Sequence, residues 1–191
     1  MELVVDILAE AFADDPVLLW LSDDPSFPRF IFQIMVDLFR PEGGILVDSS
    51  GSAAALYMPF GQRTPSAVTP AIAFRSLLRF GPRFLLRGLR VDRLYNHHHY
   101  QADHVYVFAI GNRSSVRGRG YGSALMKHLL AEAGADRHPV YLENSKPRNV
   151  PFYSKFGFVA QNTFLLPAGG PPVDAMLRRP QGLGSSLQVD H

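Results

Sequence analysis

The chain reads as an α/β protein, a mixed β-sheet with helices on its faces, forming one domain over residues 1–181. Three observations predict this. Helical and strand periods follow one another in the order αα, ββ, αα, β, α, β, α, ββ. His104 to Gly111, H-V-Y-V-F-A-I-G, is almost continuously apolar, β-branched or aromatic, as a strand covered on both faces must be. Three alternate glycines, in V-R-G-R-G-Y-G-S-A-L from Val116 to Leu125, then lead that strand into an apolar helical run.

The first helix, residues 2–13, carries Leu3, Val4, Ile7, Leu8, Ala11 and Phe12 at helical spacing, with Glu2, Asp6 and Glu10 opposite, and stops at Asp14-Asp15-Pro16. Arg29 to Phe39 is a second helix, ended by Pro41 and two glycines. Gly44 to Asp48 and Ala53 to Pro59 form a hairpin around Ser-Ser-Gly-Ser. From Pro70 to Leu94, six arginines (Arg75, Arg79, Arg83, Arg87, Arg90 and Arg93) recur every three or four residues among apolar side chains. Two amphipathic helices broken at Gly81-Pro82 follow, with a solvated arginine face or a basic lid for an acidic ligand or a membrane surface as alternatives. His97, His98 and His99 are adjacent, so they point in different directions and read as loop histidines, with no metal site expected. After the glycine stretch, Leu125, Met126, Leu129, Leu130 and Ala133 line one helix face. Val140 to Asn144 is a strand, Asn149 to Phe156 a short helix, and Phe158 to Leu166 with Asp174 to Arg178 a closing hairpin. Residues 182–191 have no pattern and read as a flexible tail.

Composition narrows the function classes. With 47% hydrophobic and 19% charged residues over 191 positions, the chain is an ordinary globular domain. A net charge of +2 is too small to imply nucleic acid. There is no cysteine, hence no disulfide, thiolate nucleophile or thiolate metal site. No run approaches the ~20 apolar residues of a membrane span and the N-terminus lacks a basic lead, so neither a membrane association nor a secretory signal is expected, and the location is cytoplasmic by default.

The glycine stretch carries the chemistry. Glycines let a loop turn tightly and bring its N–H groups close to a ligand, and a helix starting there adds unpaired N–H groups and the positive end of its dipole. The expected guest is a phosphate. No Lys-Ser or Lys-Thr closes the stretch as in a P-loop, and no acidic residue follows at the dinucleotide spacing.

Arg117-Gly118-Arg119-Gly120-Tyr121-Gly122 after a strand, followed by Asn149-Val150-Pro151-Phe152-Tyr153 and Phe156-Gly157-Phe158, resembles the GNAT family of N-acetyltransferases. Within it, Ala11 to Pro16, Leu142 to Tyr153 and Met176 to Pro180 are similar to the puromycin-acetylating branch. The resemblance implies a GNAT-like sheet splayed between two parallel central strands, residues 105–111 and 140–144, with acetyl-CoA as co-substrate between them. Main-chain groups of Ile110, Gly111 and Asn112 would pair with its pantetheine arm. The loop residues Arg117, Gly118, Arg119, Gly120, Tyr121, Gly122 and Ser123 would seat the pyrophosphate. Tyr153 would be the general acid for the leaving thiolate, a roughly balanced transfer if its pKa is near 10. Asn149 would either hold the cofactor or cap its helix. Transfer to an amine also needs a base, for which Glu143 and His104 are candidates; Glu143 as a structural hydrogen-bonder is the alternative.

The resemblance thus implies direct acetyl transfer from acetyl-CoA to a primary amine of a small molecule, by a monomer or homodimer. Phe12, Asp15, Trp20, Tyr57 and the 70–94 helices are the expected acceptor walls. A non-catalytic acyl-CoA-binding module and a surface-binding protein using residues 70–94 are the other readings. Two features depart from the family pattern. Met1 already lies on the first helix, so either the start is late or the sheet lacks its first edge strand. Asn112 and Ser114 replace an apolar residue and a proline, which is expected to loosen the strand-to-loop junction.

Overall fold

The computed structural model describes residues 1–66 and 68–180; the tail expected at 182–191 lies outside them. Among the described residues, six strands form one mixed sheet in the order β1-β2-β3-β4-β6-β5, comprising β1 (Gly44–Val47), β2 (Ala53–Met58), β3 (Val105–Asn112), β4 (Val140–Asn144), β5 (Val159–Leu165) and β6 (Pro172–Arg178). Every neighbouring pair is antiparallel except β3 and β4. The helices are α1 (Glu2–Ala11), α2 (Pro16–Leu21), α3 (Phe27–Phe39), α4 (Pro70–His98), α5 (Tyr121–Glu132) and α6 (Val150–Ser154), with single 3-10 turns at Ser114–Val116 and Pro147–Asn149.

The strand alternation sends successive side chains to opposite faces, so the sheet has two cores. Ala54, Leu56, Met58, Tyr106, Ala109 and Tyr141 pack under α1 and α3. Ala53, Ala55, Tyr57, Val105, Val107 and Leu142 pack against α5 and α6. β2 is buried along its whole length, and its three consecutive alanines let helices approach from both sides. Among the described residues, β1 pairs with β2 alone and forms one edge of the sheet.

Three local features differ from expectation. Asp14-Asp15-Pro16 does not only end α1; it starts α2, because Asp15 caps the next helix by accepting from the Val17 and Leu18 N–H groups, with Pro16 in its first turn. The arginine-rich segment is two helical arms bent at Gly81, which has φ 81° and ψ 176°, but the second arm continues through His98. His97 and His98 therefore sit on its last turn and His99 follows as the C-cap, rather than all three lying in a loop.

Candidate active site

β3 and β4 pair through two residue pairs alone, Val105 with Val140 and Tyr106 with Tyr141. Beyond them the strands separate. Ile110, Gly111 and Asn112 stay paired to Ala55, Ala54 and Ala53 of β2, which leaves the β4-facing edge of β3 available to a ligand's amides. Gly111 has a second role: a Cβ there would lie 2.5 Å from that of Ala11, so α1 rests directly on this part of the strand.

The junction to the loop is pinned, contrary to the loosening expected of Asn112 and Ser114. Glu10 on α1 accepts from the Ser114 N–H at 2.8 Å and its hydroxyl at 2.6 Å, and pairs with Arg113 at 3.0 Å. The Ser114 bonds, with Arg113, hold the Glu10 carboxyl below its usual range. Gly118 and Gly120 then take φ of +80° and +87° with open space where a Cβ would stand. Here glycine serves the backbone conformation and leaves the loop uncovered. Gly120 precedes α5, no side chain caps the helix, and the N–H groups of Tyr121, Gly122 and Ser123 belong to its unpaired first turn. Arg117 and Arg119 are exposed, and neither forms an ion pair among the described residues. Unpaired donors, two available guanidiniums and an open strand edge suit a pyrophosphate with an amide-bearing arm.

On the α1–α4 side of the splay lies a cavity of about 670 Å³. Ala109 of β3 and Glu143 and Ser145 at the end of β4 join Phe12, Asp15 and Tyr95 in its wall. Asp15 is buried and, besides capping α2, accepts from the Ser145 hydroxyl at 2.5 Å. Next to it, Asp14 binds Lys146 at 2.5 Å and also Arg148, which hold its carboxyl down at about 2. The segments 11–16 and 142–153, both singled out in the sequence, thus meet across the cleft.

Glu143 and His104 are joined by a residue that sequence reasoning left in a loop. His99 Nδ1 lies 3.0 Å from Glu143 Oε1, and His99 Nε2 lies 3.1 Å from His104 Nε2. His104 Nδ1 in turn lies 2.7 Å from the Ala102 carbonyl. Burial pushes the His104 imidazole down, opposed by that carbonyl and reinforced by His99. The Glu143 side chain is 4% exposed, and its Oε2 has no hydrogen-bond partner among the described residues.

A family profile described as an acetyltransferase (GNAT) domain matches residues 88–160, from the end of α4 into β5. An uncharacterised N-acetyltransferase of Schizosaccharomyces pombe is 26% identical over 198 residues, covering 91% of this chain and 77% of that protein. A solved Corynebacterium glutamicum structure, described as histone acetyltransferase HPA2 and related acetyltransferase, is 28% identical; the match covers 93% of this chain and 89% of that one, with a TM-score of 0.69. Through residues 88–160 and these two relatives, the chain is similar to the GNAT acetyltransferases. Naa20 of Chaetomium thermophilum, solved with a bisubstrate analogue, shares the fold at 15% identity and TM-score 0.50, over 91% of this chain and 80% of that one.

The remaining predicted residues separate into two groups. Phe12 and Asp15 line the cavity. Trp20 does not: it lies beneath the Arg87 guanidinium, 5.1 Å away, and its carbonyl accepts from Arg87. Tyr57 is on the opposite face of the sheet, its hydroxyl donating to Glu132 of α5 at 2.6 Å, so it cannot wall this cavity. Asn149 makes no side-chain cap, which removes the capping role and leaves its amide available. Tyr153 is buried beside Phe152 and Phe158. Burial first and the Asp15 charge second raise its pKa well above 10, so full transfer of its proton is no longer balanced against a thiol. The arginine face is likewise partly tied down: Arg75 and Arg79 lie over Phe30 and Phe80 at 5.9 and 5.5 Å, and Arg79 bonds Ser26. The position of His99 follows from α4 continuing through His98, which leaves His99 as its C-cap.

Proposed function

We propose that this chain moves an acetyl group from acetyl-CoA to the primary amine of a small molecule by direct attack within a ternary complex. The observation that carries this reading is the cavity, which has carboxylates in its wall and opens onto the splay between β3 and β4. Its volume is that of a small-molecule site, and Asp15 and Glu143 suit a cationic amine. With no cysteine in the chain, no acetyl-cysteine forms.

Bound acetyl-CoA supplies an activated thioester. Arg117, Arg119 and the N–H groups from Gly118 to Ser123 would hold its phosphates, and the free edge at Ile110 to Asn112 its amides. A main-chain N–H near Ile110 or Asn112 polarises the carbonyl under attack. Glu143 and His104 supply the base. Tyr153, with its raised pKa, donates a hydrogen bond to the developing thiolate and so lowers the cost of its departure.

Release of free CoA thiol, measured with a panel of primary amines that includes an aminonucleoside such as puromycin and short peptides, tests the reading. Turnover with small amines and not with peptides is expected. Tight acetyl-CoA binding with no turnover of any amine would make the protein a binding module.

A further inference from the structure

We propose that Glu143, His99 and His104 form a one-proton relay that takes the ammonium proton of the acceptor and delivers it to the surface. This deepens the acetyltransferase reading and rests on it. His104 Nδ1 lies 2.7 Å from a carbonyl, which accepts only, so Nδ1 carries a proton. In its neutral form, His104 then has a lone pair at Nε2. The 3.1 Å contact between the two Nε2 atoms therefore requires a proton on His99 Nε2. His99 Nδ1, at 3.0 Å from Glu143 Oε1, needs one further proton between them. That proton resides on His99, with Glu143 ionised, or on Glu143, with His99 neutral. If His104 is instead the charged ring, the total is unchanged. The observed geometry is the filled state, holding one proton more than two neutral imidazoles and a carboxylate.

The chain has two different ends. Glu143 lies in the cavity wall with its second oxygen unpartnered among the described residues, and His104 follows the exposed residues Gln101 to Asp103. The neighbours do not compete for the proton near neutral pH. Tyr95 on α4, Tyr106 on β3 and Tyr141 on β4 all have pKa values raised by burial and by Glu143. Asp103 beside His104 favours the filled state by charge.

The proton balance accounts for the surface outlet. An ammonium and acetyl-CoA give an amide, CoA thiol and one proton. One nitrogen proton enters the empty chain at Glu143 before attack, freeing the lone pair. The C–N bond forms as the C–S bond breaks, and the second nitrogen proton ends on sulfur. The proton stored in the chain leaves through His104, emptying it for the next cycle.

Ring-nitrogen NMR of the free protein and pH profiles of acetyl transfer test this together. His99 and His104 are expected to titrate as a coupled pair, and Glu143→Gln to lower the pH at which the pair loses its proton. His99→Gln is expected to reduce kcat/KM for the amine about 10²-fold at pH 7, with acetyl-CoA affinity unchanged. That loss should shrink as the pH approaches the amine's own pKa, where solvent supplies the free base. A double His99→Gln, Glu143→Gln variant should be no worse than either single one. Two rings that titrate independently, or a His99→Gln profile of wild-type shape, would overturn the relay while leaving acetyl transfer standing. Coupled rings with no turnover of any amine would overturn both the acetyl-transfer reading and the relay's part in it.

Discussion

Replacing Gly120 with valine separates the anion seat from the rest of the fold. At φ +87° a β-branched residue is strained, and the chain relaxes by turning the peptide units on either side. No atom lies within 4 Å of the added Cβ, so no packing is lost, and the cost to stability is confined to the backbone, about 1–3 kcal/mol. Binding suffers more. A hydrogen bond to a charged group contributes about 1.5–3 kcal/mol, so misdirecting two loop N–H groups weakens acetyl-CoA by about 10²–10⁴-fold. Calorimetric titration with acetyl-CoA and urea unfolding without it measure the two effects separately. Gly170→Ala is the control, because its methyl would lie 2.5 Å from the Leu166 Cβ, away from the β3 edge and the loop, and should cost about 1–3 kcal/mol of stability. A Gly120→Val protein that bound acetyl-CoA as tightly as wild type would show that the loop does not hold the phosphates.

Tyr153→Phe should leave stability nearly unchanged, because no partner for its hydroxyl is found among the described residues, and lower kcat on the order of 10²-fold with KM for the amine unaltered; steady-state kinetics check this, and an unchanged kcat would remove Tyr153 from the thiolate's departure. Replacing Arg117 and Arg119 with alanine should weaken acetyl-CoA and flatten the salt dependence of its Kd, which titrations at several salt concentrations would detect. Asp14 ionises at about 2 when folded against 3.8 as an isolated group, so its contribution is full above pH ~4 and is lost as the pH falls towards 2. Because its side chain is about half exposed, screening limits that contribution to roughly 1 kcal/mol, read as a urea midpoint that declines less steeply in Asp14→Asn over this range.

The sheet, the glycine loop and α5 were legible in the sequence because their determinants are local. Apolar runs identified the strands, and positive-φ glycines before an apolar period located the loop and α5. The cavity wall is built by contacts between segments far apart, which periodicity does not encode. Asp14-Asp15-Pro16 reads as a stop, and it takes Ser145, Lys146 and Arg148 to show that it is also a cap and a clasp. Tyr57 was misplaced because an apolar strand does not declare which face each residue takes, and the α5 partner Glu132 decides it. His99 was hidden by the helix end, since one further turn converts an unoriented histidine into the link between Glu143 and His104. Ser114 was misjudged for a related reason, its stabilising partner Glu10 being more than a hundred residues earlier.

The clasp between residues 14–15 and 145–148 has a mechanical consequence. β3 and β4 meet at the base of the splay through two residue pairs, and α1, which rests on β3, runs into the turn that Ser145, Lys146 and Arg148 grip beyond the end of β4. The opening is therefore braced at its base and across its mouth, as a truss is, and its width is set before any ligand arrives. An aperture fixed in this way spends little of the ligand's binding energy on rearrangement, so the interactions along its walls go directly into affinity and alignment.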